Sequence, residues 1–275
     1  MKLESTFFEC RRDGAIFHLA MNRPEKANGM TPDFWADLPR LVREVETDPS
    51  VRVLVISGNG KHFTGGMDLS SFNDIANLSR NEAGRAAYAL RALILKLQDS
   101  FNALEAARFP VIAAIHGACV GAGVDMTSAC DIRLASEDAF FSIEEINIGM
   151  AADVGTLQRL PKLMAPGLVK ELAYTGRRFS AREALQAGFV NAVHSEREAT
   201  LAAALELAAQ IAAKSPLAIA GIKKAVDYAR DHSVTESLDQ IATWNAGMLR
   251  PEDMMKAVQA KMSKQEALFA DLMAS

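Results

Sequence analysis

The sequence predicts an α/β fold followed by a C-terminal helical region, and three observations carry that prediction. Up to about residue 195, short β-rich runs alternate with turn clusters and helical stretches, the texture of a layered core. From Glu198 on, apolar residues recur almost everywhere at helical spacing. With 275 residues of which 49% are hydrophobic, the chain is long enough to bury a sizeable core. We therefore divide it into a core, residues 1–195, and a helical region, residues 196–275. Neither an internal repeat nor a low-complexity linker interrupts it.

The strands are read first. "AIFHLAM", "VRVLVISG", "VIAAIHG" and "IRLAS" are short, apolar or β-branched, and bounded by turn residues. In the tail, "EATLAAALELAAQIAAK" repeats Ala, Leu and Ile at helical spacing. "SPLAIAGIKKAVDYAR" opens on Ser-Pro and "RPEDMMKAVQAKMSKQEALFADLM" on Arg-Pro, both helix-start signals. The apolar faces of these helices have little sheet left to cover. Packing against the core or against another subunit is their natural outlet.

Composition excludes several classes. A formal net charge of −4 with scattered lysines and arginines offers no field for nucleic acid. The first twenty residues lack the apolar core of a signal peptide, and no apolar run reaches membrane-spanning length unbroken. A soluble cytoplasmic protein with no membrane partner is the expectation, and the ending "DLMAS" carries no Ser-Lys-Leu address. Cys10, Cys119 and Cys130 are odd in number without CxxC spacing or clustered histidines, so neither a disulfide framework nor a zinc site is indicated. Cys119 and Cys130 are read as small buried hydrophobes.

Two glycine-bearing segments concentrate the chemistry. "SGNGKHFTGGMDL" follows a strand and supplies Gly58, Gly60, Gly65 and Gly66 before Met67 and Asp68. Such a loop can bring backbone N–H groups close to a ligand. "HGACVGAGVDMTSACDIRLAS" follows "VIAAI" with Gly117, Gly121 and Gly123 and enters a helix near Ala122. A helix N-terminus presents unpaired N–H donors to an anion or a developing oxyanion. Taken singly, each segment is also an ordinary turn. Neither contains GxGxxG or GxxxxGK[ST], so a dinucleotide fold and a P-loop are unsupported.

Together and in this order, "MNRPEKANGMT", "GNGKHFTGGMDL", "AAIHGACVGAGVDMTSACDIRLAS", "FFSIEEINIGMAADVGTLQRLPKLM" and "AYTGRRFSAREALQAGFVNAV" resemble the crotonase, or enoyl-CoA hydratase/isomerase, superfamily over residues 5–265. The resemblance implies a crotonase-like ββα spiral core with an acyl-CoA site, and C-terminal helices that assemble homotrimers or dimers of trimers. It implies that the backbone N–H groups of Met67 and Ala122 form an oxyanion hole for the thioester carbonyl. Many members carry glycine where Ala122 stands, but a main-chain donor survives that change wherever its φ and ψ allow. It implies that Lys26, Ala27, Gly65, Gly66, Asp68, Leu69, Gly121 and Gly123 border the coenzyme A thioester. Ala27 departs from the basic residue common there, and Lys26 is the neighbouring substitute. It also implies that residues 70–110 form a helical stretch lining the acyl pocket. No metal and no cofactor enter beyond the coenzyme A thioester that is the substrate.

Members of the superfamily separate by their acids. Hydratases use two glutamates, at the positions of Asp125 and Glu145; simple Δ3,Δ2-isomerases use one acid at or near the second. A further acid, Asp153, stands here where hydratases carry a small residue, and the trio Asp125, Glu145 and Asp153 resembles the Δ3,5-Δ2,4-dienoyl-CoA isomerases. Chemistry agrees. Conjugating a 3,5-diene with the thioester removes a proton at C2 and adds one at C6, about 5 Å apart on an extended chain and beyond the roughly 2.6–3.2 Å reach of one carboxylate. Two acids are needed, one neutral and one ionised, and apolar neighbours such as Met150, Ala151, Ala152 and Val154 raise their pKa toward that state. Asp125 then orients or tunes the pair.

Plainer readings stand beside these. Glu144 is the solvent-side neighbour of Glu145 if the run is strand-like. Asp153 is a candidate helix N-cap ahead of "VGTLQRL", and Asp125 a cap or ion-pair partner for its own helix. His116 reads as a satisfied core or loop histidine, and His62 as exposed near the loop. Hydration, dehalogenation with Asp153 as nucleophile, and a non-catalytic acyl-CoA- or RNA-binding member are the alternatives. The acidic balance speaks against RNA, and the intact trio against lost catalysis.

Overall fold

The computed structural model describes residues 3–68 and 82–272. Its main sheet holds β1 (Phe8–Asp13), β2 (Ile16–Met21), β3 (Val53–Gly58), β4 (Val111–Ile115), β6 (Ile132–Ser136) and β9 (Ala192–His194), in the order β1-β2-β3-β4-β6-β9. Only β1 runs antiparallel, turning back at Gly14, whose φ is +53°. A smaller sheet joins β5 (Ala118–Val120), β7 (Phe140–Ser142) and β8 (Phe179–Ser180). The helices are α1 (Pro32–Glu46), α2 (Ala83–Ala106), α3 (Ala122–Ser128), α4 (Thr156–Leu163), α5 (Pro166–Thr175), α6 (Ala181–Gln186), α7 (Arg197–Ala212), α8 (Pro216–Ala229), α9 (Val234–Met248) and α10 (Pro251–Ser263).

The chain repeats one motion. β4, β5 and α3, then β6, β7 and α4, each give one strand to the large sheet, one to the small sheet, and a helix. This is the ββα arrangement expected from the sequence. Two isolated bridges, Thr64 with Cys119 and Met30 with Met67, extend the small sheet toward the N-terminal loops.

Both faces of the large sheet are buried at β2, β3 and β4, which is why these strands read as largely apolar runs. Alternation in β3 sends Leu54 and Ile56 to the main core and Val53 and Val55 to the opposite face. In α1, Phe34, Leu38, Leu41 and Val45 recur at helical spacing and are fully buried, and the helix packs on α2. Phe34 meets Phe7 at 5.1 Å and Trp35 at 5.2 Å, both edge-on. Buried rings of this size each contribute about 1.5–3 kcal/mol.

The tail differs from expectation at its first helix. Ala204 and Ala208 of α7 are fully buried against Ile16, Val53, Val55, Ile112, Ala114 and Leu134. The sheet did have a face left, and small side chains let a helix lie close upon it. The later helices keep large apolar side chains in the open: Leu238 is 63% exposed, Met255 67% and Met262 81%.

Candidate active site

Met67 is set by the edge of the small sheet. Met30 N–H donates to Gly66 O at 2.8 Å, and Asp68 N–H donates to Met30 O at 3.0 Å. In a parallel bridge those bonds flank Met67, so its own N–H points away from Met30. On the other side, Gly121 (φ +53°) ends β5 and starts α3, leaving Ala122 in the first helical position. Ala122 therefore has helical backbone, which alanine adopts freely. Neither amide has a hydrogen-bond acceptor among the described residues. The two lie close, because a Cβ built on Gly66 would sit 2.7 Å from Val120 O and 3.6 Å from Ala122 N. Only glycine, with φ +88° here, permits that approach.

The same cavity, about 390 Å³, is lined by Met67, Ala122, Asp125, Glu145 and Asp153. Glu145 lies in a 3-10 helix, Glu144–Ile148, and not in a strand, because β7 stops at Ser142. The alternation assumed for Glu144 therefore does not apply. Glu144 also borders the cavity, but accepts from Ser142 Oγ at 2.7 Å and Asn147 Nδ2 at 2.9 Å, which ties it to its own turn. Glu145 Oε2 is buried without a hydrogen-bond partner among the described residues, and a Cβ on Gly121 would meet Glu145 Oε1 at 3.3 Å. Burial first, and the charge of Asp125 second, push the Glu145 carboxyl up to about 7. Burial likewise raises Asp153.

Asp125 is 1% exposed and accepts the N–H of Thr156 at 2.6 Å. Thr156 is the first residue of α4, so Asp125 caps this neighbouring helix and not its own. Asp153 is not the N-cap of α4; Gly155, φ +138°, holds that place. Burial raises Asp125 from 3.8 to about 6, with Thr156 opposing it. Because the folded pKa lies above the unfolded one, this contribution to stability is full below pH 3.8 and is lost as pH rises through about 6. At about 1.4 kcal/mol per pKa unit, the loss is roughly 3 kcal/mol. Asp125→Asn keeps an acceptor for Thr156. It is expected to raise the melting temperature at pH 7.5 relative to wild type and leave it nearly unchanged at pH 4, as thermal denaturation across that range checks.

The apolar wall comes from α2, where Leu90, Leu93, Ile94 and Leu97 face the cavity at helical spacing, with Ile148, Met150 and Val154 beside them. The spacing in "LRALILKLQ" is the signal that marks them in the sequence. Of the residues expected to border the thioester, Gly65, Gly66 and Gly121 line the cavity. Ala27 (φ +49°) adjoins it, its carbonyl accepting the Gly65 N–H at 2.8 Å, and Lys26 is exposed one residue earlier. Asp68 turns to Arg23 at 2.5 Å. Gly123 lies behind the wall, where a Cβ would strike Thr64 Cγ2 at 2.5 Å. Leu69 is outside the described residues.

Sequence reading missed several supports. Asn28, fully buried with left-handed backbone, donates from Nδ2 to the carbonyls of Asn59 and His62, both at 2.9 Å, and so fixes the glycine loop. Gln98 Nε2 donates to Asp153 O at 2.7 Å. His116, buried, bonds Gly60 O at 3.0 Å, in keeping with its structural reading.

A family model described as enoyl-CoA hydratase/isomerase matches residues 11–271. A Mus musculus protein named Delta(3,5)-Delta(2,4)-dienoyl-CoA isomerase, mitochondrial, is 48% identical over 253 residues, 91% of this chain and 77% of that protein. An Arabidopsis thaliana protein of the same name, peroxisomal, is 44% identical over 262 residues, 94% of each. Among solved structures, a putative enoyl-CoA hydratase from Streptomyces coelicolor superposes with a TM-score of 0.88 at 26% identity, covering 98% of this chain and 96% of that one. The organelle labels of the relatives overturn the cytoplasmic expectation. A folded domain's composition answers to solubility in any aqueous compartment, whereas an address is read by receptors from short signals. With a family model spanning most of the chain and relatives 44–48% identical along more than nine-tenths of it, the chain belongs to the enoyl-CoA hydratase/isomerase family.

Proposed function

We propose that this protein isomerises 3,5-dienoyl-CoA to 2,4-dienoyl-CoA by a 1,5-proton shift between Glu145 and Asp153, a step of fatty-acid β-oxidation. The observation that carries the reading is that both carboxyl groups, each with a raised pKa, line one apolar cavity beside two amides without acceptors among the described residues. The ionised carboxylate takes the C2 proton. The electron pair left behind spreads over C4, C6 and the thioester oxygen, where the N–H groups of Met67 and Ala122 hold the charge. The neutral carboxyl then delivers a proton to C6, leaving double bonds at C2 and C4. Asp125, tied to Thr156, raises the pKa of Glu145 by its charge and transfers no proton itself. No metal or cofactor is needed, because the thioester acidifies C2.

Hydration needs two carboxylates free to hold a water. Asp125 is buried and engaged as a helix cap, which speaks against that use. The acyl chain lies along α2, and the nucleotide end passes Lys26 and Ala27. Exposed apolar side chains on α9 and α10 support assembly into homotrimers or dimers of trimers through the C-terminal region.

Incubation with a 3,5-dienoyl-CoA, followed by the ultraviolet absorbance of the conjugated product, tests the proposal. No rise above blank, or faster hydration of crotonyl-CoA, overturns it. The pair requires one neutral and one ionised member, so kcat/KM is expected to be bell-shaped, with limbs that belong to the pair. Asp125→Asn removes a like charge beside Glu145 and is expected to move the profile to lower pH.

A further inference from the structure

We propose that Gln98 is a positioning residue for Asp153, holding from α2 the short segment that carries this carboxyl into the cavity. The inference rests on the proton-shift reading above. Asp153 belongs to neither a strand nor a helix, so the backbone between Met150 and Thr156 needs anchors from elsewhere. Gln98 Nε2 donates to the Asp153 carbonyl at 2.7 Å, a tertiary anchor on the residue itself. Two residues on, Gly155 takes φ +138°, and a Cβ there would fall 1.9 Å from Arg159 Nη1, so the guanidinium lies directly upon this glycine. Arg159 is fixed in turn by Glu105 at 2.8 Å and Asn102 at 2.6 Å.

Gln98, Asn102 and Glu105 are spaced four and three apart, so they share one face of α2. Leu90, Leu93, Ile94 and Leu97 of the same helix form the apolar wall. One rigid element therefore sets both the acyl surface and the acid that works along it. Loss of the Gln98 bond frees the carbonyl and lets the carboxyl drift from its carbon, and misplacement of about 1 Å costs on the order of a hundredfold in rate.

Gln98→Met keeps the length of the side chain and removes the donor. It is expected to lower kcat by about ten- to a hundredfold with KM little changed. In an Asp153→Asn background the same change is expected to alter the remaining rate by less than about twofold, since the group it positions is gone. An equal loss in both backgrounds would show a structural effect and overturn the inference. A crystal structure of Gln98→Met supplies a readout independent of turnover: displacement of the Asp153 carboxyl supports the role, and an unmoved carboxyl overturns it. If Asp153→Asn alone leaves isomerisation intact, the proton-shift reading falls, while the displacement still decides whether Gln98 positions Asp153.

Discussion

Asp153→Asn is expected to lower the rate of 3,5- to 2,4-dienoyl-CoA isomerisation by about 10²–10⁴-fold, the usual contribution of a positioned general acid or base. Asparagine preserves the volume and polarity of the side chain and removes only its ability to exchange a proton. Asp153 contributes its carbonyl, not its carboxyl, to the bond with Gln98, so the fold is expected to be unchanged. Glu145→Gln is expected to cost as much. The two variants separate on a second substrate. Moving one double bond from Δ3 to Δ2 spans about half the distance, within reach of a single swinging carboxylate. The variant that keeps the carboxylate serving C2 should therefore retain a 1,3 shift on a 3-enoyl-CoA within about tenfold, whereas the other loses both reactions. Product absorbance measured with each substrate decides the matter. Retained 1,5 activity in both variants removes the two-carboxyl mechanism.

Ala122→Pro is expected to lower kcat by about 10²–10³-fold, the loss that follows removal of one oxyanion donor. A side-chain change at Ala122 leaves the main-chain N–H in place, and proline is the residue that removes it. Position 122 is the first of α3, where proline's fixed φ is compatible with the helix and its missing N–H breaks no helical bond. Gly121 before it tolerates the restriction that proline places on its neighbour. The melting temperature should accordingly change by only a few degrees, and a thermal scan alongside single-turnover rates checks both halves. A kcat unchanged from wild type would exclude the Ala122 amide from the oxyanion hole.

Much of the fold and of the acid cluster was legible because short-range patterns carry it. The apolar run from Val53 to Ile56 reads as a strand, and the glycines at 65, 66 and 121 stand where backbone must approach backbone closely. The spacing of Glu145 and Asp153 in an apolar stretch marked both as unusual. Other features escaped because their causes lie far along the chain. Asp125 and Thr156 are 31 residues apart, and Gln98 and Asp153 are 55 apart. No local preference of either partner announces such a bond. The reading of Glu144 by strand alternation failed for a related reason: whether a polar run after β7 continues extended or closes into a 3-10 turn depends on what packs beyond it.

By itself, the sequence determined strands β2, β3, β4 and β6 and the helical tail, the glycine positions that bring two amides together, and the presence of three acids in apolar company. These follow from side-chain size, φ freedom and hydrophobic periodicity, which act over a few residues. Only the tertiary structure decided the surroundings of the three acids. It buried Asp125 as the cap of a neighbouring helix, left Glu145 beside Gly121 with an unpartnered oxygen, and set Asp153 at the cavity with its carbonyl held by Gln98. A carboxyl's protonation depends on how much water and which charges surround it, and that environment exists only once segments distant in the chain have packed together.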